Sequence, residues 1–319
     1  MYHSAADVSA MEGTVRRRSQ DASVWCVIVN WNACSETMGR LETLSSASTA
    51  LAGVVVVDNG SADNSVERTR SAYPDVTLIE AGKNLGFAAG NNLGIRHALE
   101  SGADYIWLLN NDANPFPDAL EQMLKVAESD SRIGAVGSVL WHADQLNVVQ
   151  SWGGGKLNLL SGYNTVARSP RADEWFDYMC AGSMLVHREA FLDVGLLNED
   201  YFLYWEDVDF GFRLRRAGWK LAVARQAIVP HRGNASTAGS PHIRDRYFTM
   251  SCLRFLDRWS PHPTLAKTLL LTRRMMSRIV RGDMKRLTGV IRGALDYRAH
   301  RSPSDRLIEE NKIEQPART

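Results

Sequence analysis

The chain has 319 residues, enough to bury one large core or two small ones. Apolar residues make up 45% and charged residues 23%, as in ordinary globular proteins, and a net charge of +1 argues against a surface coated with cations for nucleic acid. No apolar run reaches the roughly 20 residues that a membrane span requires, and Cys26, Cys34, Cys180 and Cys252, without paired spacing, read as reduced, packed thiols of a cytoplasmic protein.

Residues 1–23 are polar, carry Arg16-Arg17-Arg18 and lack a signal peptide's apolar core, which predicts a disordered leader. Order begins at Val24-Trp25-Cys26-Val27-Ile28-Val29, a run that stops at Asn30-Trp31-Asn32, with Ser35 placed to cap a helix reaching about Ser46. Gly53-Val54-Val55-Val56-Val57 reads as a second buried strand, ending in Asp58-Asn59-Gly60-Ser61. A helical pattern follows, so this Asn-Gly marks a strand-to-helix turn and not a hairpin. A third strand at 76–80 leads through Gly82-Lys83-Asn84-Leu85-Gly86-Phe87 into a helix that carries Asn91 and Asn92 and runs to Glu100. Strands alternating with short helices predict a parallel sheet with right-handed crossovers.

The next strand organises the rest. Tyr105-Ile106-Trp107-Leu108-Leu109 is an unbroken apolar run, as expected of a strand covered on both faces, and it ends in Asn110-Asn111-Asp112 ahead of Pro115. Ligands of open α/β sheets lie beyond the carboxyl ends of such strands. A carboxylate there suits a divalent cation holding a diphosphate, because hard cations take oxygen ligands. Asn-Asn-Asp also makes a good turn, so both readings stand on these residues alone.

A helix to about Glu128 and a strand at 133–139 follow Pro117. Residues 140–175, rich in glycine and tryptophan (Trp141, Trp152, Trp175), read as an irregular, substrate-facing surface. A strand at 178–186 and a short helix at 188–194 precede Tyr204-Trp205-Glu206-Asp207-Val208-Asp209, which opens an amphipathic helix closed at Gly218. Short strands at 220–223 and 227–230 end at His231-Arg232-Gly233. From about Ser240 the pattern is helical. Between Leu265 and Arg301 ten Lys or Arg stand against two Asp, interleaved with Leu269, Met276, Ile279 and Val280. Such helices can lie on an anionic membrane surface, or pack on the domain with a solvated basic face.

Six segments line up in chain order: Val29-Asn30-Trp31-Asn32, Val57-Asp58-Asn59-Gly60-Ser61, Asn84-Leu85-Gly86-Phe87 with Asn91-Asn92, Asn110-Asn111-Asp112, Trp205-Glu206-Asp207-Val208-Asp209 and Pro230-His231-Arg232-Gly233. Together they resemble the family 2 glycosyltransferases, inverting enzymes of the GT-A fold, most closely the bacterial rhamnosyltransferase-like branch. The resemblance covers roughly residues 24–236. It implies an α/β fold with a Rossmann-like, mainly parallel central sheet flanked by helices, plus a helical C-terminal extension. The implied division is a leader (1–23), a nucleotide-binding half (24–112), an acceptor and catalytic half (113–239), a basic helical extension (240–301) and a loose tail (302–319).

The implied reaction moves a sugar from a nucleoside diphosphate sugar of TDP or UDP type, dTDP-L-rhamnose being a candidate, to a hydroxyl of a glycan or polyprenyl-linked acceptor. That chemistry belongs to bacterial cell-surface polysaccharide synthesis, peripheral to the cytoplasmic face of the inner membrane. Trp31 resembles the aromatic position that packs on the base, since stacking suits any flat π face; it could equally be a core tryptophan. Asp58 matches the aspartate that accepts the pyrimidine N–H, and could also make an Asx turn. The resemblance further assigns Asn30, Lys83, Asn84, Asn91 and Asn111 to the donor nucleotide. Asp112 matches the last aspartate of the D-x-D motif, and His231 a histidine that touches metal or phosphate, so Mn²⁺ or Mg²⁺ is the implied cofactor. Asn110 departs from the motif's first aspartate; one fewer negative charge leaves more of the cation's shell to the diphosphate. Asp207 is the expected catalytic base, with Glu206, Trp205 and Trp152 facing acceptor or sugar. Both carboxylates would also complement a helix N-terminus without any chemistry.

Other classes fit less well. A sugar nucleotidyltransferase would carry a glycine-rich basic loop after the first strand, where Asn30-Trp31-Asn32-Ala33-Cys34 has no glycine, and a dinucleotide oxidoreductase would carry G-x-G-x-x-G there. A non-catalytic nucleotide- or glycan-binding module on the same scaffold would not need both Asp112 and Asp207.

Overall fold

The computed structural model describes residues 22–233 and 240–299; the expected leader up to Asp21 and the loose tail from 302 lie outside the described residues. The first half is a run of strand–helix units: β1 (Val24–Asn30), α1 (Cys34–Ser45), β2 (Gly53–Asp58), α2 (Ser65–Ala72), β3 (Thr77–Glu80), α3 (Phe87–Glu100), β4 (Tyr105–Leu109) and α4 (Ala119–Ala127). The four strands are parallel, in the spatial order β3-β2-β1-β4. Their side chains alternate between two cores, as the two-residue period of a strand requires. Cys26, Ile28, Val56 and Trp107 pack against Met38 and Leu41 of α1 and Leu120 and Met123 of α4. Val27, Val55, Val57, Ile106 and Leu108 pack on the other side against Ala88, Ile95 and Ala98 of α3. Helices on both faces explain why β4 is buried along its whole length. Ser35 does not cap α1: its hydroxyl meets Glu36, while the Asp63 carboxylate accepts the Cys34 N–H at 3.2 Å.

The second half adds β5 (Ile133–His142), β6 (Gln145–Trp152), β7 (Gly154–Asn158), β8 (Tyr163–Val166), β9 (Tyr178–Met179), β10 (Ser183–His187), α5 (Arg188–Val194), α6 (Glu206–Arg216) and β11 (Lys220–His231). The main sheet has the order β11-β5-β10-β4-β1-β2-β3, with β6 paired to β5; β10 runs antiparallel to both neighbours. Residues 140–175 are not the irregular stretch expected. They finish β5, return as β6, and supply β7 and β8 of a small antiparallel sheet that β9 completes, in the order β8-β7-β9. Glycine hid this from the sequence, because here it serves close backbone packing: a Cβ on Gly154 would lie 1.9 Å from the Tyr178 carbonyl oxygen. The strand expected at 178–186 is broken at Cys180-Ala181-Gly182, and the two strands expected after 220 are one, β11, with an irregularity between Ala224 and Ile228.

The C-terminal extension is α7 (Pro241–Trp259), α8 (Pro263–Val280) and α9 (Met284–Arg298). It shares a core with the α/β part: Cys252, Leu253, Phe255 and Leu256 of α7 bury Tyr201, Trp205 and Val208. At the centre of the three helices the buried Asp245 receives Arg274 at 2.7 Å, Arg278 at 2.8 Å and Arg286 at 2.6 Å. Three of the ten basic residues counted in the sequence therefore point inward and hold the extension together.

Candidate active site

The carboxyl ends of β1 and β2 carry a polar network. Asn30, fully buried, donates to the Asp58 carboxylate at 2.9 Å and to the Ser61 hydroxyl at 3.0 Å, and the Ser61 N–H donates to the other Asp58 oxygen at 2.9 Å. Thr37 donates to the Asn30 carbonyl at 2.8 Å and receives a longer contact from the Asn111 amide at 3.4 Å, which ties β4 to this network. Trp31 is half-buried at its edge and Lys83 is exposed. The loop carrying Lys83 presses on the β2 turn: Gly60 adopts φ +77, and a Cβ there would lie 2.6 Å from the Lys83 Cα. Asn59 locks the two loops, donating to the Asn84 carbonyl at 3.1 Å and to the Gly86 carbonyl at 3.0 Å.

A second group forms where β4 meets the end of β11. The Arg232 N–H donates to the Asp112 carbonyl at 3.2 Å and the Asn114 N–H to the Pro230 carbonyl at 2.6 Å, so the Asp112 loop is stitched to His231. His231 Nε2 lies 3.1 Å from an Asp112 carboxylate oxygen and 3.3 Å from the Asn110 amide nitrogen, while Nδ1 lies 2.6 Å from the Gln150 carbonyl oxygen. Beneath them Arg40 from α1 is buried, its charge next to Asp112; burial pushes its guanidinium down to about 10, still cationic at neutral pH.

The third group stands at the start of α6. Tyr204 and Trp205 both adopt positive φ, +67 and +76, a conformation that costs about 1–3 kcal/mol for each such residue. This double kink starts the helix at Glu206. Asp207 accepts the Ala181 N–H at 3.3 Å and the Val208 N–H at 2.8 Å. Burial pushes its carboxyl up to about 6, against the opposing pull of those two N–H groups. Glu206 is 5% exposed, one of its oxygens has no protein partner, and burial next to Asp207 raises its carboxyl well above the usual range. Asp209 is a different case: fully buried, it accepts from Trp259 of α7 at 2.8 Å and from Arg213 at 2.8 Å, which makes it an anchor for the helix.

These groups meet at the break between β9 and β10. The Ala181 N–H holds Asp207, the Gly182 carbonyl accepts the Asn110 N–H at 3.1 Å, and a Cβ on Gly182 would lie 3.4 Å from His231. Cys180 lies in the fields of Asp207, Glu206 and Asp112; burial first, and then Asp207, push its thiol up to about 12, so it is unreactive at neutral pH.

Several expected site residues are placed otherwise. Trp205 is 2% exposed and wedged against Phe248 and Phe255, so it offers no stacking face to a sugar; the aromatic lead-in serves the core under α6. Trp152 packs with Trp141 and Val149 against the sheet core. The Asn91 amide donates to the Phe87 carbonyl of its own helix at 2.9 Å, while Asn92 clasps Leu197 with bonds of 2.8 and 3.0 Å. Asn84 closes its own loop. The sequence reading missed Thr37, Arg40, Gln150 and the Cys180-Ala181-Gly182 turn; small residues interrupting an apolar run were the available signal for the last.

A parallel nucleotide-type sheet that brings a carboxylate–imidazole pair and a second buried carboxylate pair to one turn is the architecture of a GT-A glycosyltransferase. Residues 26–195 match the family model described as Glycosyl transferase family 2, and the chain belongs to that family. Over 287 residues it is 28% identical to the N-acetylglucosaminyl-diphospho-decaprenol L-rhamnosyltransferase of Mycobacterium tuberculosis, covering 78% of this chain and 92% of that protein. It is 24% identical to the dTDP-rhamnosyl transferase RfbF of Shigella flexneri over 62% of this chain and 65% of that one. Among solved structures, the mannosyltransferase PcManGT from Pyrobaculum calidifontis in complex with GDP-Man and Mn²⁺ superposes with a TM-score of 0.56 at 18% identity, over 92% of this chain and 81% of that one. GalNAc-T7 with UDP, GalNAc and Mn²⁺ gives 0.63 at 14% identity, over 89% and 58%.

Proposed function

We propose that the enzyme is an inverting glycosyltransferase that uses a nucleoside diphosphate sugar of TDP or UDP type, with dTDP-L-rhamnose the favoured donor, and a lipid-linked glycan as acceptor. The donor and acceptor classes rest on the rhamnosyltransferase relatives. The observation that carries the mechanism is the meeting of Asp207 and the Asp112–His231 pair at the Cys180-Ala181-Gly182 turn.

In this reading Asp58 and Asn30 take the pyrimidine edge and Trp31 its face, with Lys83 near the phosphates. Asp112 and His231 would hold a divalent cation. They fit one, because a carboxylate oxygen and an imidazole nitrogen face each other at 3.1 Å, an arrangement that a shared cation or proton must relieve. Among the described residues no cluster of three or more His, Cys, Asp or Glu side chains surrounds one point, so the donor diphosphate would complete the shell. Bound there, the cation supplies charge to stabilise the departing diphosphate.

Asp207 acts on the acceptor. The acceptor oxygen bonds to the anomeric carbon as the bond to the diphosphate breaks, the electron pair leaves with the diphosphate, and the hydroxyl proton passes to Asp207. Glu206, whose carboxyl is pushed upward by burial and then by Asp207, offers its unpartnered oxygen to a sugar hydroxyl. Asp207→Asn tests this directly. Transfer is expected to fall by at least about 10²–10⁴-fold with donor affinity retained, and unchanged turnover would sink the mechanism.

We further propose that α8 and α9 rest on an anionic membrane surface. Leu269, Met276, Ile279, Val280 and Met284 are exposed there, Val280 to 80%, among the exposed Arg273, Arg281, Lys285 and Arg292.

A further inference from the structure

We propose that the hairpin of β7 and β8 is a third membrane-contacting element, which meets the same anionic lipid surface as α8 and α9 and ties the α/β part of the chain to it. The inference rests on the proposed contact of α8 and α9 with that surface and names a further segment for it. Leu160 in the turn and Tyr163 at the start of β8 are exposed, to 48% and 53%. The turn is fastened to the extension. A Cβ on Gly162 would lie 3.1 Å from Leu256 of α7 and 3.3 Å from Leu270 of α8. The Ser260 hydroxyl donates to the Leu159 carbonyl at 2.7 Å, and the Arg273 guanidinium lies 4.6 Å over the Tyr163 ring.

Arg273 belongs to the outward stripe of α8. Leu265, Leu269, Arg273, Met276 and Val280 recur every three or four residues and are exposed, while Ala266 and Leu270 are buried and Arg274 and Arg278 turn inward to Asp245. Tyr163 therefore continues an exposed apolar stripe and is not a scattered surface aromatic. The charges around it have one sign. Residues 154–166 and 263–280 contain no Asp or Glu, and Asp296, the one acid of α9, is buried against Arg246. Exposed Lys156 and Arg273 thus extend the basic set of Arg281, Lys285 and Arg292. The same face of a second copy of the chain would set like charges against each other. Anionic headgroups neutralise them, while the membrane interface takes the apolar side chains and the amphipathic tyrosine ring.

The hairpin also reaches the site. β8 pairs with β7 and β7 with β9, and Asn164 of β8 bonds the Tyr178 hydroxyl of β9 at 2.8 Å. β9 runs into the Cys180-Ala181-Gly182 turn, whose Ala181 N–H is accepted by Asp207. Seating the hairpin on lipid therefore orients the Asp207 side of the site toward the membrane that carries the proposed acceptor.

The test uses the full chain with an environment-sensitive dye on one introduced cysteine, and phosphatidylcholine vesicles with or without phosphatidylglycerol. The unsubstituted chain treated with the same dye sets the background of the four native cysteines. Leu160→Cys is expected to shift to the blue on anionic vesicles as Val280→Cys does, whereas Ser71→Cys, at an exposed position of α2, stays unchanged. Leu160→Ser with Tyr163→Ser is expected to weaken vesicle binding about tenfold, as loss of one buried leucine side chain does, with the melting temperature nearly unchanged. A response at position 280 with none at 160, or undiminished binding by the double variant, overturns the hairpin contact and leaves that of α8. No response at either position and no sedimentation with the vesicles overturns the reading of α8 and α9, and this one with it. An equal response to vesicles without phosphatidylglycerol overturns the anionic character of the surface.

Discussion

Asp207 is held in the state least comfortable for a carboxylate, which suits the base role proposed for it near neutral pH. Its carboxyl sits at about 6 in the folded chain because burial disfavours the charge. Only the ionised form accepts a proton, so kcat/KM should fall tenfold per pH unit below about 6 and level off above it; a profile flat down to pH 5 would remove Asp207 from the role. The linkage runs the other way for stability. A folded pKa above the unfolded value of 3.8 gives stability that is full below that value and lost as pH rises through 6. Asp207→Asn should therefore melt higher than wild type above pH 6, by up to ~3 kcal/mol, with the gap closing in acid. At this scale the positions of Asp112 just past β4 and of Asp207 in the first turn of α6 were legible, because both are local patterns. Trp205 and Gln150 were not. The first is buried by Phe248 and Phe255, more than forty residues on, and the second owes its direction to a bulge whose partner strand the glycine-rich stretch concealed.

The elements explain how that carboxylate is held. The Tyr204–Trp205 kink is kept in place by Trp205 in the third core and by Asp209, which Trp259 and Arg213 bind, so α7 acts as a brace behind α6. Gly86, at the start of α3, completes the brace from the other side: it sits at φ +86 where a Cβ would lie 2.4 Å from the Phe202 carbonyl oxygen. The extension is in turn pinned by Asp245. Burial alone would raise its carboxyl, but hydrogen bonds from Arg278 and Arg286 and the charge of Arg274 bring it below the ordinary value. Its stabilisation is thus present above the unfolded carboxylate pKa and lost as pH falls through the lower folded one. Asp245→Ala, which strands three half-buried guanidiniums, should cost ~3–5 kcal/mol in a urea melt; a loss within the range of a surface change would show the hub to be idle. Helical periodicity made α7, α8 and α9 legible, whereas the inward turn of Arg274, Arg278 and Arg286 was not, since their partner lies on α7.

On the scale of the whole molecule the sheet fixes where chemistry can happen. Parallel strands β1, β2 and β4 end together, β10 inserts antiparallel beside β4, and the crevice beyond those ends collects Asp58, Asp112 and Asp207. The alternating strand and helix pattern made the first half readable; the second half depends on pairings between distant, glycine-rich segments. No helix among the described residues is long and apolar enough to cross a membrane. The proposed contact of the exposed α8 and α9 faces with an anionic membrane surface is testable on its own. Met276→Glu with Val280→Glu, both at exposed positions, should leave the melting temperature nearly unchanged while abolishing sedimentation with anionic vesicles. Undiminished sedimentation would move the contact elsewhere.

The central claim is that a nucleoside diphosphate and a divalent cation are held together by the Asp58 and Asp112 groups for attack assisted by Asp207. Thermal unfolding with TDP, UDP and GDP, each with and without Mn²⁺, tests it most directly, because a ligand at a hundredfold over its dissociation constant adds ~2.7 kcal/mol to the folded state. The expected result is stabilisation by TDP or UDP that requires Mn²⁺, survives Asp207→Asn and disappears in Asp112→Asn. Stabilisation by no nucleotide, or equal stabilisation in Asp112→Asn, would contradict it.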